Sequence, residues 1–333
     1  MSLTPGFPEA VAEVRPLDRS RFAPTTSGPA HPGTLVAALL CWLDARSRGA
    51  SIGLRLEDID PGRCTPESAR ELRDSLAWFG LDWDDESRQS DHLPAHERAL
   101  DRLAARNEIY PCDCSRSEVK RAGLRAVDGG YRYPGRCRAR PLPEAGWRSC
   151  DCALRFRLEP GRIAPLDEGG LDLAQEPLTA MGDPVLRRRD GAVAYQLAVV
   201  VDDAEQAVTR VVRGRDLAPS TAIQVALQRS LGLATPTYRH HLLLLEEHGD
   251  KFAKLHGAVG WRELSDHYSP ERLCGFLARV VGLTESAEET APSELIAGFE
   301  WGRIRRDDAL IRWRDGELSC LGYRPVEAKP AAS

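Results

Sequence analysis

The residues best suited to chemistry lie in two segments far apart in the chain. Residues 21–34 read R-F-A-P-T-T-S-G-P-A-H-P-G-T, and residues 251–258 read K-F-A-K-L-H-G-A. The first is rich in proline and glycine, carries His31, and runs directly into the apolar helical stretch 35–45. A loop opening onto a helix N-terminus suits phosphate oxygens, because unbonded N–H groups and the helix dipole both face the anion. The second segment sets Lys251 and Lys254 three residues apart, where both can close over the same phosphates. No G-x-x-x-x-G-K-[ST] occurs anywhere, so a nucleoside triphosphate would be held here without a P-loop. On its own a histidine or a K-x-x-K is ordinary surface; weight comes from the company it keeps.

The elements that must position these groups are legible in the pattern. Pro24, Pro29 and Pro32 keep the first segment non-helical up to the helix start. Ile52, Leu54 and Leu56 alternate with polar or small residues, predicting a strand that delivers the carboxylates of E-D-I-D, residues 57–60, at its C-terminal end. Helices are expected over 66–79, stopped by Gly80, and over 94–106. The apolar run 193–201 reads as a buried parallel strand with 207–212 as its neighbour, which would put Tyr195 and Arg213 at the ends of adjacent strands. Residues 110–150, rich in Cys, Gly and Arg, read as an irregular insert. Further on, helices are expected over 270–281 and 292–299, then a β-hairpin around Asp315-Gly316. Strands alternating with helices imply α/β architecture, with ligands at the C-terminal ends of the strands.

Composition bounds the rest. Hydrophobic content of 42% over 333 residues suits a globular protein of one large domain with an insert, or two domains. The first ten residues have neither the basic nor the apolar region of a signal peptide, and no apolar run is long enough to span a membrane. Nine cysteines form no regular framework, so a reducing cytoplasm is expected. Net charge of −5 argues against a general RNA-coating protein, yet residues 116–157 hold eleven Lys or Arg against four Asp or Glu. Such a cluster suits contact with a polyanion at one face, or is simply a solvated arginine-rich surface.

With these motifs in hand, the chain resembles the class I aminoacyl-tRNA synthetases of the glutamyl group. Residues 21–34 look like their "HIGH" element and 251–258 like their "KMSKS" element. Four more matches follow in the family's order: R-L-E-D-I-D at 55–60, L-D-W-D at 81–84, A-Y-Q-L-A-V-V-V-D-D at 194–203 and V-V-R-G at 211–214. The chain departs from the pattern where Pro32-Gly33-Thr34 lacks the second histidine, and where Ala253 replaces a serine. The loss of that hydroxyl predicts slower turnover. The resemblance implies a Rossmann-type catalytic domain with an inserted zinc-binding, acceptor-binding-like subdomain and a short helical C-terminal region. It divides the chain into an extension (1–14), catalytic halves (15–109 and 191–258), the insert (110–190), a helical region (259–305) and a hairpin-like tail with a disordered end (306–333).

It also implies the chemistry. ATP, with Mg2+, would bind at His31, Gly33, Lys251 and Lys254, with His31 and the lysines catalytic. Glutamate would bind at Arg21, Ala23, Thr25, Glu57, Tyr195 and Arg213. Arginine forks take the carboxylates, Glu57 takes the ammonium, and Tyr195 offers a phenolic donor. Arg213 discriminates, since glutamine-specific relatives carry an uncharged residue there. Cys112, Cys114, Tyr133 and Cys137 match the zinc ligands of one branch, with Cys150-x-Cys152 as a pair that could replace Tyr133. Only residues 259–333 follow the lysine loop, too few for a helical anticodon-binding region. That length resembles the stand-alone glutamyl-queuosine branch, whose members attach glutamate to queuosine in the anticodon of tRNA(Asp). A monomeric enzyme is expected. The rivals are a shortened synthetase charging a tRNA 3′ end and a catalytically silent RNA-binding paralogue. Retention of His31 and both lysines speaks against the second.

Overall fold

The computed structural model describes residues 18–60, 62–250 and 259–325. The first half runs β1 (Arg19–Phe22), α1 (Pro32–Ser47), β2 (Ser51–Leu56), α2 (Pro66–Trp78), β3 (Asp85–Arg88) and α3 (Leu93–Ala105). The insert carries β4 (Ile109–Cys112), α4 (Arg116–Arg121), β5 (Ala153–Phe156), α5 (Pro177–Ala180) and β6 (Val185–Arg187). Then come α6 (Tyr195–Glu205), β7 (Arg210–Gly214), α7 (Thr221–Leu231), β8 (Thr237–His241) and β9 (Leu244–Glu246). The chain closes with α8 (Trp261–His267), α9 (Pro270–Val281), β10 (Asp308–Arg314) and β11 (Glu317–Arg324).

Strands β1, β2 and β3 form one parallel sheet and β7 pairs in parallel with β8. The two abut edge to edge, because Thr209 N–H donates to the carbonyl of Arg19 at 3.0 Å and Arg19 N–H to Thr209 Oγ1 at 3.0 Å. The resulting order, β3-β2-β1-β7-β8, reverses direction of growth beside β1. Such a reversal opens a crevice at the strands' carboxyl ends. Helix α1 is buried on nearly every side, from Leu35 through Ala45, so its N-terminus points out of the core into that crevice.

Local chemistry sets the boundaries. Thr65 and Ser269 cap α2 and α9 by accepting from Ser68 N–H and Arg272 N–H, each at 3.1 Å. Gly282, in the left-handed region at φ 91°, ends α9. At the hairpin tip Asp315 and Gly316 both have positive φ, 51° and 80°, as a two-residue primed turn requires. That hairpin is a structural member of the body, since β10 also pairs in parallel with β9. Leu39 of α1, Leu273 and Leu277 of α9 and Ile311 of β10 belong to one apolar cluster. Each buried leucine there contributes roughly 1.5–3 kcal/mol.

Two expectations are corrected. The run 193–201 is not a strand: α6 occupies Tyr195–Glu205, with Leu197, Ala198, Val199, Val200 and Val201 all buried. A continuously buried apolar run carries no periodicity that separates strand from helix. The helix expected over 292–299 is only a 3-10 turn, Pro292–Leu295, because the chain bends to stack Phe299 edge-on against Trp301 at 5.2 Å. Trp301 Nε1 in turn donates to Asp44 Oδ1 of α1 at 2.6 Å. Among the described residues, no helix is long and apolar enough to cross a membrane.

Candidate active site

His31 is the N-cap of α1, and its Nδ1 accepts from Thr34 N–H at 3.3 Å. In the neutral ring the proton therefore sits on Nε2, which makes that nitrogen a donor. His31, Gly33, Thr34, Thr25 and Ser27 line a cavity of about 330 Å³ together with Gly214, Asp216 and residues 241–244. The cavity lies at the N-terminus of α1, where N–H groups and the helix dipole face its interior and suit an anion. Lys251, Ala253 and Lys254 lie outside the described residues. The chain leaves β9 toward them by a turn in which Glu246 N–H donates to the carbonyl of Asp250 at 2.7 Å.

A second, more deeply buried cluster sits at the carboxyl ends of β1, β2 and β7. Arg21, at the end of β1, donates from Nε to Asp203 Oδ1 at 3.0 Å. Arg55, fully buried in β2, donates to the same oxygen at 2.8 Å and lies 3.6 Å from Glu57. Burial works against the charge on Arg21, but the Asp203 charge outweighs it and holds the guanidinium above its usual value. Glu57 experiences the reverse. Burial pushes its carboxyl up to about 7, only partly offset by Arg55 and Arg21. The extension of β1 runs alongside it: Thr26 N–H donates to the Glu57 carbonyl at 3.1 Å, and Glu57 N–H to that of Pro24 at 3.0 Å. Ala23 and Thr25 thus flank the acid, although Thr25 is exposed on the cavity side.

Tyr195 opens α6, half-buried, its phenol raised by burial and Glu57 and lowered by Arg213 and Arg21. Arg213, near the end of β7, is buried. It donates to Gln224 Oε1 and Thr221 Oγ1, each at 2.8 Å, and to His240 Nε2 at 3.0 Å. Arg21, Glu57, Tyr195 and Arg213 therefore converge, although Tyr195 arrives on a helix and not on a strand.

In the insert, the Sγ atoms of Cys112, Cys114 and Cys137 lie within 4.8 Å of one another. Tyr133 packs among them, and its phenol oxygen accepts from Cys137 N–H at 2.6 Å. Burial and the neighbouring thiols push Cys114 up to about 11. Burial works against ionisation of Cys137 too, but hydrogen bonds led by Tyr133 overcome it and lower its value. Arg155 Nε donates to Cys112 Sγ at 3.2 Å. Cys150 belongs to a different apolar cluster, packed with Trp147 and Leu154, with Cys152 against it. The pair that could have replaced Tyr133 is not part of the thiol group.

The family described as "tRNA synthetases class I (E and Q), catalytic domain" matches residues 19–303. A glutamyl-Q tRNA(Asp) synthetase of Symbiobacterium thermophilum is 41% identical over 311 residues, covering 87% of this chain and 95% of that protein. The chain belongs to the glutamyl-Q tRNA(Asp) synthetase family. Its likeness extends to a relative of the same name from Rhodobacter capsulatus, 39% identical over 279 residues, covering 79% of this chain and 99% of that one. The crystal structure of a glutamate tRNA ligase from Elizabethkingia meningosepticum, in complex with its amino acid, superposes with a TM-score of 0.74 at 25% identity. That match covers 87% of this glutamyl-Q family chain and 66% of the ligase.

Asp203, Arg55, Asp167 and His240 were not singled out by sequence as parts of the site. Asp203 follows Tyr195 by eight residues, a helical spacing that a strand assignment hides. His240 is the register partner of Arg213 across β7 and β8, visible only once the strands are paired.

Proposed function

We propose that this protein activates L-glutamate with ATP and transfers it to queuosine in the anticodon of tRNA(Asp). The observation that carries the first step is the convergence of Arg21, Glu57, Tyr195 and Arg213. A glutamate zwitterion needs one anionic group for its ammonium and cationic forks for its carboxylates. A buried carboxyl with a raised pKa, beside two fixed guanidinium groups, meets that need. The α-carboxylate oxygen attacks the α-phosphorus of ATP in line, the bond to the β-phosphate bridging oxygen breaks, and pyrophosphate leaves. Positioning and charge stabilisation carry such a reaction. His31 Nε2–H and the N-terminus of α1 face the growing phosphate charge. Lys251 and Lys254 neutralise the departing pyrophosphate, and Mg2+ enters with ATP. A queuosine hydroxyl then attacks the adenylate carbonyl, and AMP leaves.

The division into catalytic halves (15–109 and 191–258), insert (110–190), helical region (259–305) and hairpin tail (306–333) is part of this reading. So is a cytoplasmic setting, where tRNA and ATP are found. Zinc fits the insert: three thiols and a phenol form a closed set of four donors, with no open position for catalysis. When bound it would brace the insert and hold the thiols ionised. Cys112, Cys114, Tyr133 and Cys137 are the residues that would hold it.

The test is direct. The protein is incubated with ATP, labelled glutamate and either queuosine-containing tRNA(Asp) or an unmodified transcript. Only the queuosine-containing tRNA takes up label. Equal labelling of both, or preferential labelling of tRNA(Glu), overturns the reading in favour of 3′-end charging.

A further inference from the structure

Among the described residues the groups that fix Arg213 are the Gln224 amide, the Thr221 hydroxyl, the His240 imidazole and, at 3.5 Å, the Leu217 carbonyl, none of them an acid. The imidazole matters most. An N–H can donate only to a ring nitrogen that carries a lone pair, so the Arg213 bond to His240 Nε2 puts the ring's single proton on Nδ1. There it meets Asp167 Oδ2 at 2.7 Å. Asp167 is itself locked, accepting from His240 N–H at 2.9 Å, Gly169 N–H at 2.8 Å and Leu171 N–H at 3.3 Å. A Cβ on Gly169 would stand 2.8 Å from Asp167 Oδ1, so the turn that aims this carboxylate leaves no room for a side chain. The side chains of Asp167 and His240 are both fully enclosed in this arrangement.

The arrangement has an electrostatic logic. A carboxylate bonded straight to Arg213 would neutralise the guanidinium and remove its attraction for a substrate anion. A neutral imidazole fixes the same N–H edge and leaves the positive charge unspent, while the carboxylate one bond further out sets the tautomer. We propose that His240, oriented by Asp167 from the inserted segment, is a positioning and specificity residue. It holds the Arg213 guanidinium in place, undischarged, for a carboxylate of the substrate. The inference rests on the reading that Arg213 binds glutamate.

Glutamate-dependent ATP–pyrophosphate exchange on the full chain, alongside thermal melting, tests it with three variants. Arg213→Gln examines the underlying reading, and must raise KM for glutamate. His240→Phe removes the acceptor. It is expected to raise KM for glutamate about tenfold or more, to shrink the preference for glutamate over glutamine, and to move KM for ATP less than about twofold. His240→Gln restores an acceptor for the Arg213 N–H and is expected to return KM for glutamate to within about threefold of wild type. If Arg213→Gln leaves KM for glutamate unchanged, the pocket reading falls and takes this proposal with it. If Arg213→Gln raises it but a stably folded His240→Phe does not, the proposal alone is overturned. A parallel rise in both KM values with a lowered melting temperature, unrescued by His240→Gln, would make His240 merely structural and equally overturn it.

Discussion

At the scale of single residues, the pocket is assembled from groups that the free protein would prefer in another state. Glu57 is the clearest case. Its carboxyl is raised from 4.5 to about 7, chiefly by burial. Between those values the native protein binds more protons than the unfolded chain, so this group's contribution to stability falls as pH rises from about 4.5 to about 7 and is flat above. The loss by neutral pH is on the order of 3 kcal/mol. A substrate ammonium would add to the attraction of Arg55 and Arg21, which offset the burial of Glu57 only in part. Glu57→Gln is therefore expected to melt several degrees above wild type at pH 8 and to gain nothing at pH 5, while glutamate-dependent exchange falls about a hundredfold or more. Thermal melts at the two pH values decide the matter. A variant less stable than wild type at pH 8 would mean that Glu57 is held ionised by Arg55 and Arg21 at no cost.

At the scale of elements, the insert is short of regular structure and needs a substitute for it. Its sheet has only β4, β5 and β6, and α4 spans just Arg116–Arg121. Packing near the thiol cluster is tight: a Cβ on Gly182, at φ 76°, would stand 2.7 Å from the Tyr133 carbonyl oxygen. A bound zinc would brace this region. The purified protein is expected to carry about one zinc per chain, and Cys137→Ser or prolonged chelation to remove it. Glutamate-dependent exchange should then fall no more than about threefold, since Arg21, Glu57, Tyr195 and Arg213 lie outside the insert, while transfer to tRNA falls about tenfold or more. Metal analysis with both assays reads this out. Exchange that collapses in step with transfer would assign the cluster to the catalytic body instead.

At the scale of the whole molecule, the local excess of positive charge is less available than a count suggests. Arg138 bonds Asp183, Arg140 bonds Asp113, and Arg148 bonds Asp101 and Glu97. Arg155 and Arg157 are spent largely on Asp183 and Arg138 carbonyls. Those partners lie outside the segment 116–157 or on its backbone, so several arginines serve to build the insert. On and after α4, Arg116, Lys120, Arg121 and Arg125 are also exposed, and no salt bridge to a described carboxylate takes them up. If these face the RNA, binding of tRNA(Asp) weakens steeply with salt, and the combined change R116A, K120A and R121A flattens the log–log salt slope by about 3. Filter binding between low and moderate salt measures it. An unchanged slope would move the RNA contact to another face.

What the sequence by itself determined were the groups whose chemistry is local. The helix stop at Gly80 and the hairpin at Asp315-Gly316 depend on neighbours a few residues away, and each is found where the pattern predicts. The motifs also named the polar residues that meet around Glu57, because a guanidinium, a carboxyl and a phenol are recognisable in one dimension. Tertiary structure alone decided how they meet. Tyr195 and Asp203 share a helix that, buried on all sides, had no period to betray it. The coupling of Arg213 to His240 and Asp167 joins three segments remote in sequence, and it exists only because β7 and β8 pair in one register and the insert folds back against β8. Burial did the rest. The raised pKa of Glu57 and the internal spending of the insert's arginines depend on which side chains lose their water, and no count of residue types along a chain contains that information.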